Sequence, residues 1–465
     1  MQSKVKKFDI IVIGGGPAAQ KAAIQSANLG KKALIIEKEE QLGGGCVHTG
    51  TIPSKSLQET SRFFKRLSEK NIHGFDTNIS KKISLKELMY RAGAVIQKEE
   101  RVARDQVLQS GAEILTGWGT ILDKNRVKVQ NSMGEEIFET DYILIATGTR
   151  PRRPENEGIP FETGFVYDSD GLFEIENLPS SMGIVGAGII GCEYATIFAN
   201  IGVKIHLFDN SERVLSFLDG EVSSSIEHYM RLSGIQLHLG TKIKQYLRKS
   251  GGIDIFTDYG DTTHVNQILI SRGRVGNIHG MGLENVGIIP TDRMLIPVDA
   301  NYKTIVPNIY AAGDVIGFPA LASTSMYQGI QVAKHIFSND PISLKMDDLP
   351  IGIFTLPEIA MIGPTEEMLN NRGIEYVVGK ANFDTITRSQ ISGDTWGLLK
   401  LIAEKKSKRL LSVHIVSDRA TELIALGQAV VNLKGELDYF TRHIFNYPTL
   451  SGAYKNAAMD ALSKL

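Results

Sequence analysis

Cysteine is scarce, with two in 465 residues. That scarcity excludes a secreted scaffold stapled by disulfides. No surplus of charge stands out either. The 51 basic and 52 acidic side chains leave a formal net charge of -1. Neither nucleic acid nor an anionic membrane has an electrostatic reason to bind such a chain. No apolar run approaches the ~18 residues that read as a membrane-spanning helix. Low-complexity segments and long linkers are also missing, and no metal site is expected. The start, "MQSKVKKFDIIVIGGG", sets Lys4, Lys6 and Lys7 before an apolar stretch, as a signal peptide would. That stretch is short, contains Asp9 and runs into glycines. It reads as a first β-strand. A reducing cytoplasm is the expected location.

Glycine, by contrast, is abundant, at 46 residues against 15 prolines. A chain of this length exceeds one ordinary core, so about two to four domains are expected. "FDIIVIGGGPAAQKAAIQSANLGKKALIIEK" reads as strand, glycine turn, helix, strand. Gly14, Gly16 and Ala19 hold the G-x-G-x-x-G/A positions. The first glycine allows the tight turn, and the second lets a pyrophosphate approach the backbone. The small third residue lets helix and strand pack closely. The helix N-terminus then faces the phosphates with its positive end. Glu37, closing the second strand, can accept a hydrogen bond from a ribose 2′-OH.

The pattern recurs at "MGIVGAGIIGCEYATIFANIGVKIHLFDN", where Gly186, Gly188 and Gly191 fill all three positions. Ile190, Tyr194, Ile197, Phe198 and Ile201 follow at helical spacing, as ordinary helix core. Asp209 is the second acid. Two such units imply two dinucleotides, since each βαβ unit binds one by this mechanism. "DYILIATGTRP" is an apolar strand meeting Ala146, Thr147 and Gly148, and "IYAAGDVIG" is a strand ending in Gly313 and Asp314. Either could be no more than a strand end with a turn.

Together these four stretches resemble the flavoproteins with two dinucleotide-binding domains, in the disulfide reductase branch. The resemblance implies an α/β fold with two Rossmann-like domains, one for FAD and one for NAD(P), and a C-terminal α+β dimerisation domain. The expected boundaries are 1–152 for the first part of the FAD domain and 153–273 for the NAD(P) domain. The FAD domain returns over 274–344, and residues 345–465 form the interface. "GLLKLIAE" and "LLSVHIVS" then read as strands and "ATELIALGQAVVNLK" as a helix of that last domain. A homodimer is implied. Glu37, Gly45, Lys55, Thr147, Gly148, Gly313 and Asp314 would serve FAD with the first fingerprint. Arg274, in "SRGRVGN", would join the second fingerprint and Asp209 in holding NAD(P).

The chain departs from that branch at "GGGCVHTGTIPSK", residues 43–55. The branch has two cysteines here, five apart, which form a redox disulfide beside the flavin. This chain keeps Cys46 and places Thr51 at the second position. Threonine carries no electrons. Cys192, within the second fingerprint helix, reads as a small buried residue rather than a partner. The branch also carries H-P-T-x-x-E near its C-terminus. Here "FNYPTLSGAYKNAA" keeps Pro448 and Thr449 but has Tyr447 for His and Gly452 for Glu. Tyrosine, with an ordinary pKa of ~10, is a poor proton shuttle at neutral pH. Thiol relay and thiol acid/base are both missing. Lys55 and Glu193 match a pair that lies near flavin N5 in the family, though a buried ion pair fixing an interdomain seam would also account for them. His48 is either a partner for Cys46 or a satisfied loop histidine.

The subgroup most similar is the soluble pyridine nucleotide transhydrogenases. They share the single-cysteine loop, "YDSD" at 167–170, the second fingerprint through "CEYA", and "FNYPT" at 445–449. The resemblance implies reversible hydride transfer between nicotinamide nucleotides through FAD. Asp209 would repel a 2′-phosphate, which favours NAD(H), while Arg213 nearby leaves NADP(H) admissible. An NADH-dependent diaphorase and a flavin redox sensor of low turnover are the competing readings; dihydrolipoamide dehydrogenase is disfavoured. With no second thiol, reductive titration is expected to consume two electrons per flavin. The Cys46→Ser variant is expected to keep its flavin and most hydride transfer. Uptake of four electrons would contradict the loss of the thiol relay.

Overall fold

β1 (Lys7–Ile13) is an apolar run with its last four residues buried, as a strand covered on both faces must be. In the computed structural model it lies at the centre of a seven-stranded sheet. The structure describes residues 5–69, 84–154, 158–161, 164–338, 347 and 349–465. Lys4 and the junction expected at 344–345 lie outside the described residues.

β1 pairs in parallel with β2 (Ala33–Glu37), which pairs in turn with β3 (Glu113–Thr116). On its other side β1 pairs in parallel with β6 (Gly134–Ile145), and Ile309–Ala311 adds a parallel strand beyond. β4 (Trp118–Asp123) and β5 (Arg126–Asn131) extend β6 as an antiparallel meander. Two segments far apart in the chain, around 145 and 311, are thereby brought beside the first glycine turn.

α1 (Pro17–Asn28) begins with proline, whose missing amide costs nothing in a first helical turn. Its alanines let the helix Ala322–Phe337 come close. A Cβ at Gly329 would stand 2.1 Å from the Ala18 carbonyl oxygen. The stretch 44–48, read from sequence as part of a loop, is a single helical turn, α2 (Gly44–His48). Gly43, at φ 129, supplies the left-handed step that starts it. α3 (Thr51–Glu69) follows almost at once.

The second sheet is parallel throughout, in the order 236–238, 204–208, 181–185, 267–270, 166–168. The helix Ile189–Asn200 packs on it, buried without a break from Gly191 to Phe198. A three-stranded antiparallel sheet (243–249, 252–257, 262–265) covers another part of this unit. The chain passes between the first and second sheets at a short antiparallel ribbon, Thr149–Pro151 against Arg274–Gly276.

The C-terminal unit is a five-stranded antiparallel sheet, ordered 351–353, 358–362, 410–417, 398–404, 376–382. The helices Ala420–Asn432 and Gly452–Leu462 share its apolar core, with Tyr454 fully buried. Two Rossmann-like units and an α+β unit thus make up the fold. Among the described residues no helix is long and apolar enough to cross a membrane.

Gly329→Ala is expected to force α1 from the helix Ala322–Phe337 and cost about 1–3 kcal/mol. Heating should then release the flavin at a lower temperature than in the wild type. Gly93→Ala is the control, because a Cβ there meets nothing within 4 Å. Alanine is also the better helix former, so Gly93→Ala should hold or raise the midpoint.

Candidate active site

The first fingerprint turns where β1 ends. Gly14, at φ 114, lies so close to the end of β6 that a Cβ would meet the Ala146 carbonyl oxygen at 2.3 Å. A Cβ at Gly16 would meet nothing within 4 Å. Gly16 therefore presents bare backbone to open space, while Ala19 is fully buried behind it. Gly44 closes over Gly16, with 3.0 Å between its notional Cβ and the Gly16 Cα. Gly45 sits in the same turn of α2. Glu37 is buried at the end of β2 and accepts from the Glu39 amide at 3.1 Å. Burial pushes its carboxyl pKa up, against the backbone amides that favour the carboxylate.

β6 ends at Ile145, and the residues after it reach this turn. Thr147 Oγ1 is buried with no hydrogen-bond partner among the described residues. Gly148 is left-handed, at φ 66, and faces open space. Gly313, at φ 80, brings its chain within 3.2 Å of the Ala18 Cβ as measured from a notional Cβ. Its amide donates to Gln328 Oε1 at 2.7 Å, and Asp314 Oδ1 accepts from Ser325 Oγ at 3.2 Å. The structure thus gathers Gly14, Gly16, Ala19, Thr147, Gly148, Gly313 and Asp314 about one end of the first sheet.

The second fingerprint repeats the geometry. Gly186, at φ 114, approaches Ser271, and a Cβ at Gly191 would strike the Gly186 carbonyl oxygen at 1.7 Å. Gly188 faces open space as Gly16 does. Asp209 is fixed by two backbone amides: Oδ2 accepts from Ala187 at 2.6 Å and Oδ1 from Ser211 at 2.7 Å. Arg213 turns elsewhere, donating to the Ser216 carbonyl at 3.2 Å and lying 3.9 Å from Glu367. Arg274 is held at the ribbon, by Thr149 Oγ1 at 2.9 Å, the Thr149 carbonyl at 2.8 Å and Asp170 Oδ1 at 3.0 Å. Its guanidinium ties the crossing to the "YDSD" stretch.

An ion pair joins α3 to the second fingerprint helix. Lys55 Nζ donates to Glu193 Oε2 at 2.8 Å and Oε1 at 3.0 Å. The Glu193 side chain is 5% exposed and that of Lys55 26%. Glu193 Oε1 also accepts from the Phe354 amide at 2.8 Å, and the Phe354 ring lies 4.8 Å from the ammonium. Phe354 was not singled out from the sequence; nothing in its local pattern marks it.

Cys46 and Cys192 are both free thiols. Cys46 is half-buried on α2, and burial pushes its pKa up. The Thr51 hydroxyl opposes that shift by hydrogen bonding to the sulfur. Thr51 stands beside the cysteine without the redox chemistry of a second thiol. Cys192 is fully buried and donates to the Ala187 carbonyl at 3.3 Å. His48 contacts the Leu42 carbonyl through Nε2 at 2.8 Å.

The profile of the pyridine nucleotide-disulphide oxidoreductases matches residues 8–329, and that of their dimerisation domain matches residues 349–458. The chain belongs to that family. A soluble pyridine nucleotide transhydrogenase of Mycobacterium bovis is 40% identical over 463 residues, covering 99% of this chain and 98% of its own. The relative of the same name in Hahella chejuensis is 36% identical, with 99% of each chain covered. Among solved structures, LpdA of Mycobacterium tuberculosis superposes with a TM-score of 0.89 at 25% identity, over 98% of this chain and 99% of that one. The HOCl-induced flavoprotein disulfide reductase RclA of Escherichia coli, at 24% identity and a TM-score of 0.88 over 98% of this chain and 99% of that one, shares the fold.

Family membership implies FAD and nicotinamide nucleotides as the bound groups, and the dimerisation domain implies a homodimer. The residues present fit both nucleotides. Gly16 and Gly188 leave room where a pyrophosphate would meet backbone, and the Thr147 hydroxyl is a buried polar group in want of a partner. Tyr447 is 75% exposed and its hydroxyl donates to Thr387 Oγ1 at 3.1 Å. Gly452 opens the last helix, with nothing near a notional Cβ.

The raised pKa of Cys46 has a chemical consequence. Iodoacetamide is expected to label Cys46 slowly at pH 7 and faster as the pH rises through and above the ordinary thiol range. Thr51→Ala removes a hydroxyl that favours the thiolate, so it should move that rise to still higher pH. Mass spectrometry of the labelled peptide reads both. Rapid labelling at pH 7 would mean a standing thiolate.

Proposed function

We propose that this protein transfers hydride between nicotinamide nucleotides through FAD, without a redox disulfide. The observation that carries the reading is the pairing of Cys46 with Thr51 where the family's chemistry uses two thiols. The relatives that match over nearly the whole chain are named for this reaction, which supports it further. When bound, FAD would accept a hydride from one nicotinamide and return it to another.

In this reading Gly14, Gly16, Ala19, Glu37, Gly45, Thr147, Gly148, Gly313 and Asp314 hold FAD. Gly186, Gly188, Gly191 and Asp209 hold the nicotinamide nucleotide. Lys55 places a cation in the site, where it favours negative charge developing on the acceptor. Glu193 keeps that cation in place. Arg274 acts at the crossing between the nucleotide units, toward NAD(P) only through the strands it braces. We take the units as 1–152 with 274–344 for FAD, 153–273 for NAD(P) and 345–465 for the interface. Free thiols in the whole chain suit a reducing cytoplasm.

NADH is the preferred donor. A carboxylate fixed by two backbone amides accepts a ribose hydroxyl and repels a 2′-phosphate. Arg213, engaged with Ser216 and Glu367, does little to offset that repulsion.

Because one site serves donor and acceptor in turn, steady-state kinetics are expected to be ping-pong, with parallel double-reciprocal lines and inhibition by excess of either nucleotide. Flavin reduction should be faster with NADH than with NADPH, and Asp209→Asn should narrow the gap. Lipoamide and glutathione disulfide should not turn over. Rapid reoxidation of the NADH-reduced enzyme by quinones, and none by NADP or a nicotinamide analogue, would make it a diaphorase instead.

A further inference from the structure

Lys400 lies in the middle of the strand Leu398–Glu404, between Leu399 and Leu401, and all three are fully buried. A lysine in such a strand must find anions. Its Nζ donates to Asp219 Oδ1 at 2.7 Å and to Glu366, with Glu221 Oε2 at 3.1 Å. Glu366 belongs to the C-terminal unit, while Asp219 and Glu221 stand at the start of the helix Gly220–Leu232 of the nucleotide unit. The cluster is therefore a joint between two units, with the side chains of Lys400 and Asp219 each 1% exposed.

Asp219 also ends the segment that begins at Asp209. It caps the helix by accepting from the Glu221 amide at 3.2 Å, and its other oxygen accepts from the Glu366 amide at 3.3 Å. Between the two aspartates the chain folds back on the second fingerprint. Leu215, left-handed at φ 47, donates its amide to the Ala187 carbonyl at 2.9 Å. Asp209 accepts from the Ala187 amide at 2.6 Å. Ala187, flanked by Gly186 and Gly188, is thus gripped on both backbone polar atoms by one segment. The Val214 carbonyl accepts from Ser223 Oγ at 2.6 Å, which binds the same segment to the helix that Asp219 caps. Glu367 adds a second tether from the C-terminal unit, accepting from the Gly220 amide at 3.1 Å.

We propose that Lys400 is a positioning residue for nicotinamide-nucleotide binding, holding the segment 209–219, and through it Asp209 and Ala187, against the C-terminal unit. The proposal rests on the reading of Asp209 as the ribose ligand. An apolar side chain would fill a buried strand position as well as an ion cluster does. What the lysine adds is a fixed geometry between two units, and displacement of a binding group by ~1 Å weakens its action many-fold.

The test uses the FAD-loaded full-length enzyme, with flavin bleaching followed in a stopped-flow instrument against NADH concentration. Lys400→Met is expected to raise the apparent Kd for NADH about fivefold or more, in the range usual for coupling between distant sites. The limiting bleaching rate and FAD content should stay within about twofold of wild type, a split that general destabilisation would not produce. Lys400→Arg should recover part of the affinity. An unchanged Kd in folded Lys400→Met overturns the proposal. If Lys400→Met does not fold, Asp219→Asn takes its place, since it keeps a capping oxygen but loses the charge; there too an unchanged Kd overturns it. The assay needs no second nucleotide, so it stands apart from the transhydrogenase reading. If Asp209→Asn leaves the NADH Kd unmoved, the ribose assignment fails. If Asp209→Asn moves it and Lys400→Met does not, the positioning role alone falls.

Discussion

A carboxylate with 5% of its side chain exposed must be neutralised where it stands. Glu193 meets that requirement with partners from two other units, the Lys55 ammonium of α3 and the Phe354 amide of the C-terminal unit. Neither partner is near it in sequence. The charge has all of these partners only when the three units are in place. The Lys55 side chain is left 26% exposed while its ammonium is held by the buried Glu193.

α3 extends the same logic. Lys55, Gln58, Arg62 and Arg66 follow at spacings that keep them on one side of a helix. Gln58 and Arg62 both reach Glu358, and Arg62 and Arg66 both reach Asp418. Ser61 meanwhile donates to the Ile197 carbonyl of the second fingerprint helix at 2.9 Å. The helix that starts at Thr51 beside Cys46 thus runs between the other two units and bonds to each. Arg62 and Glu358 are both buried, so removing either would strand a charge in the interior.

Much of this was legible in the sequence. Glycine triplets have steric reasons that act locally, and the strands beside them are apolar runs, so both fingerprints and the sheets around them follow from short stretches. The pair of Lys55 with Glu193 was readable only by resemblance, since nothing in either segment names the other. Phe354, Glu358 and Lys400 were not found at all. Phe354 acts through its backbone amide, which any residue has. Lys400 lay in "GLLKLIAE", an ordinary strand pattern, and the one signal was a charge at its centre with apolar residues to either side. Its partners Asp219 and Glu366 are far away in the chain, and periodicity carries no information about such distances. The 43–55 stretch reads as a loop in the sequence because its glycines hide the helical turn that Gly43 starts.

The ribbon at the crossing bears on how such a chain can change. Thr149 faces Gly276 and Pro151 faces Arg274, so the chain enters and leaves the second unit on adjacent strands. Seen from the first sheet, everything between is one long excursion whose ends lie about 5 Å apart, the width of a strand pair. An excursion closed in this way leaves and rejoins the first sheet at one place. A change within the second unit can therefore reach the first sheet only through the ribbon and the side-chain seams. A graft must still match the seams of that unit: Arg274 at the ribbon, Glu193 behind Lys55, Asp219 opposite Lys400, Ser61 against Ile197, and the apolar core that Leu57, Ile353 and Ile359 share with the second unit.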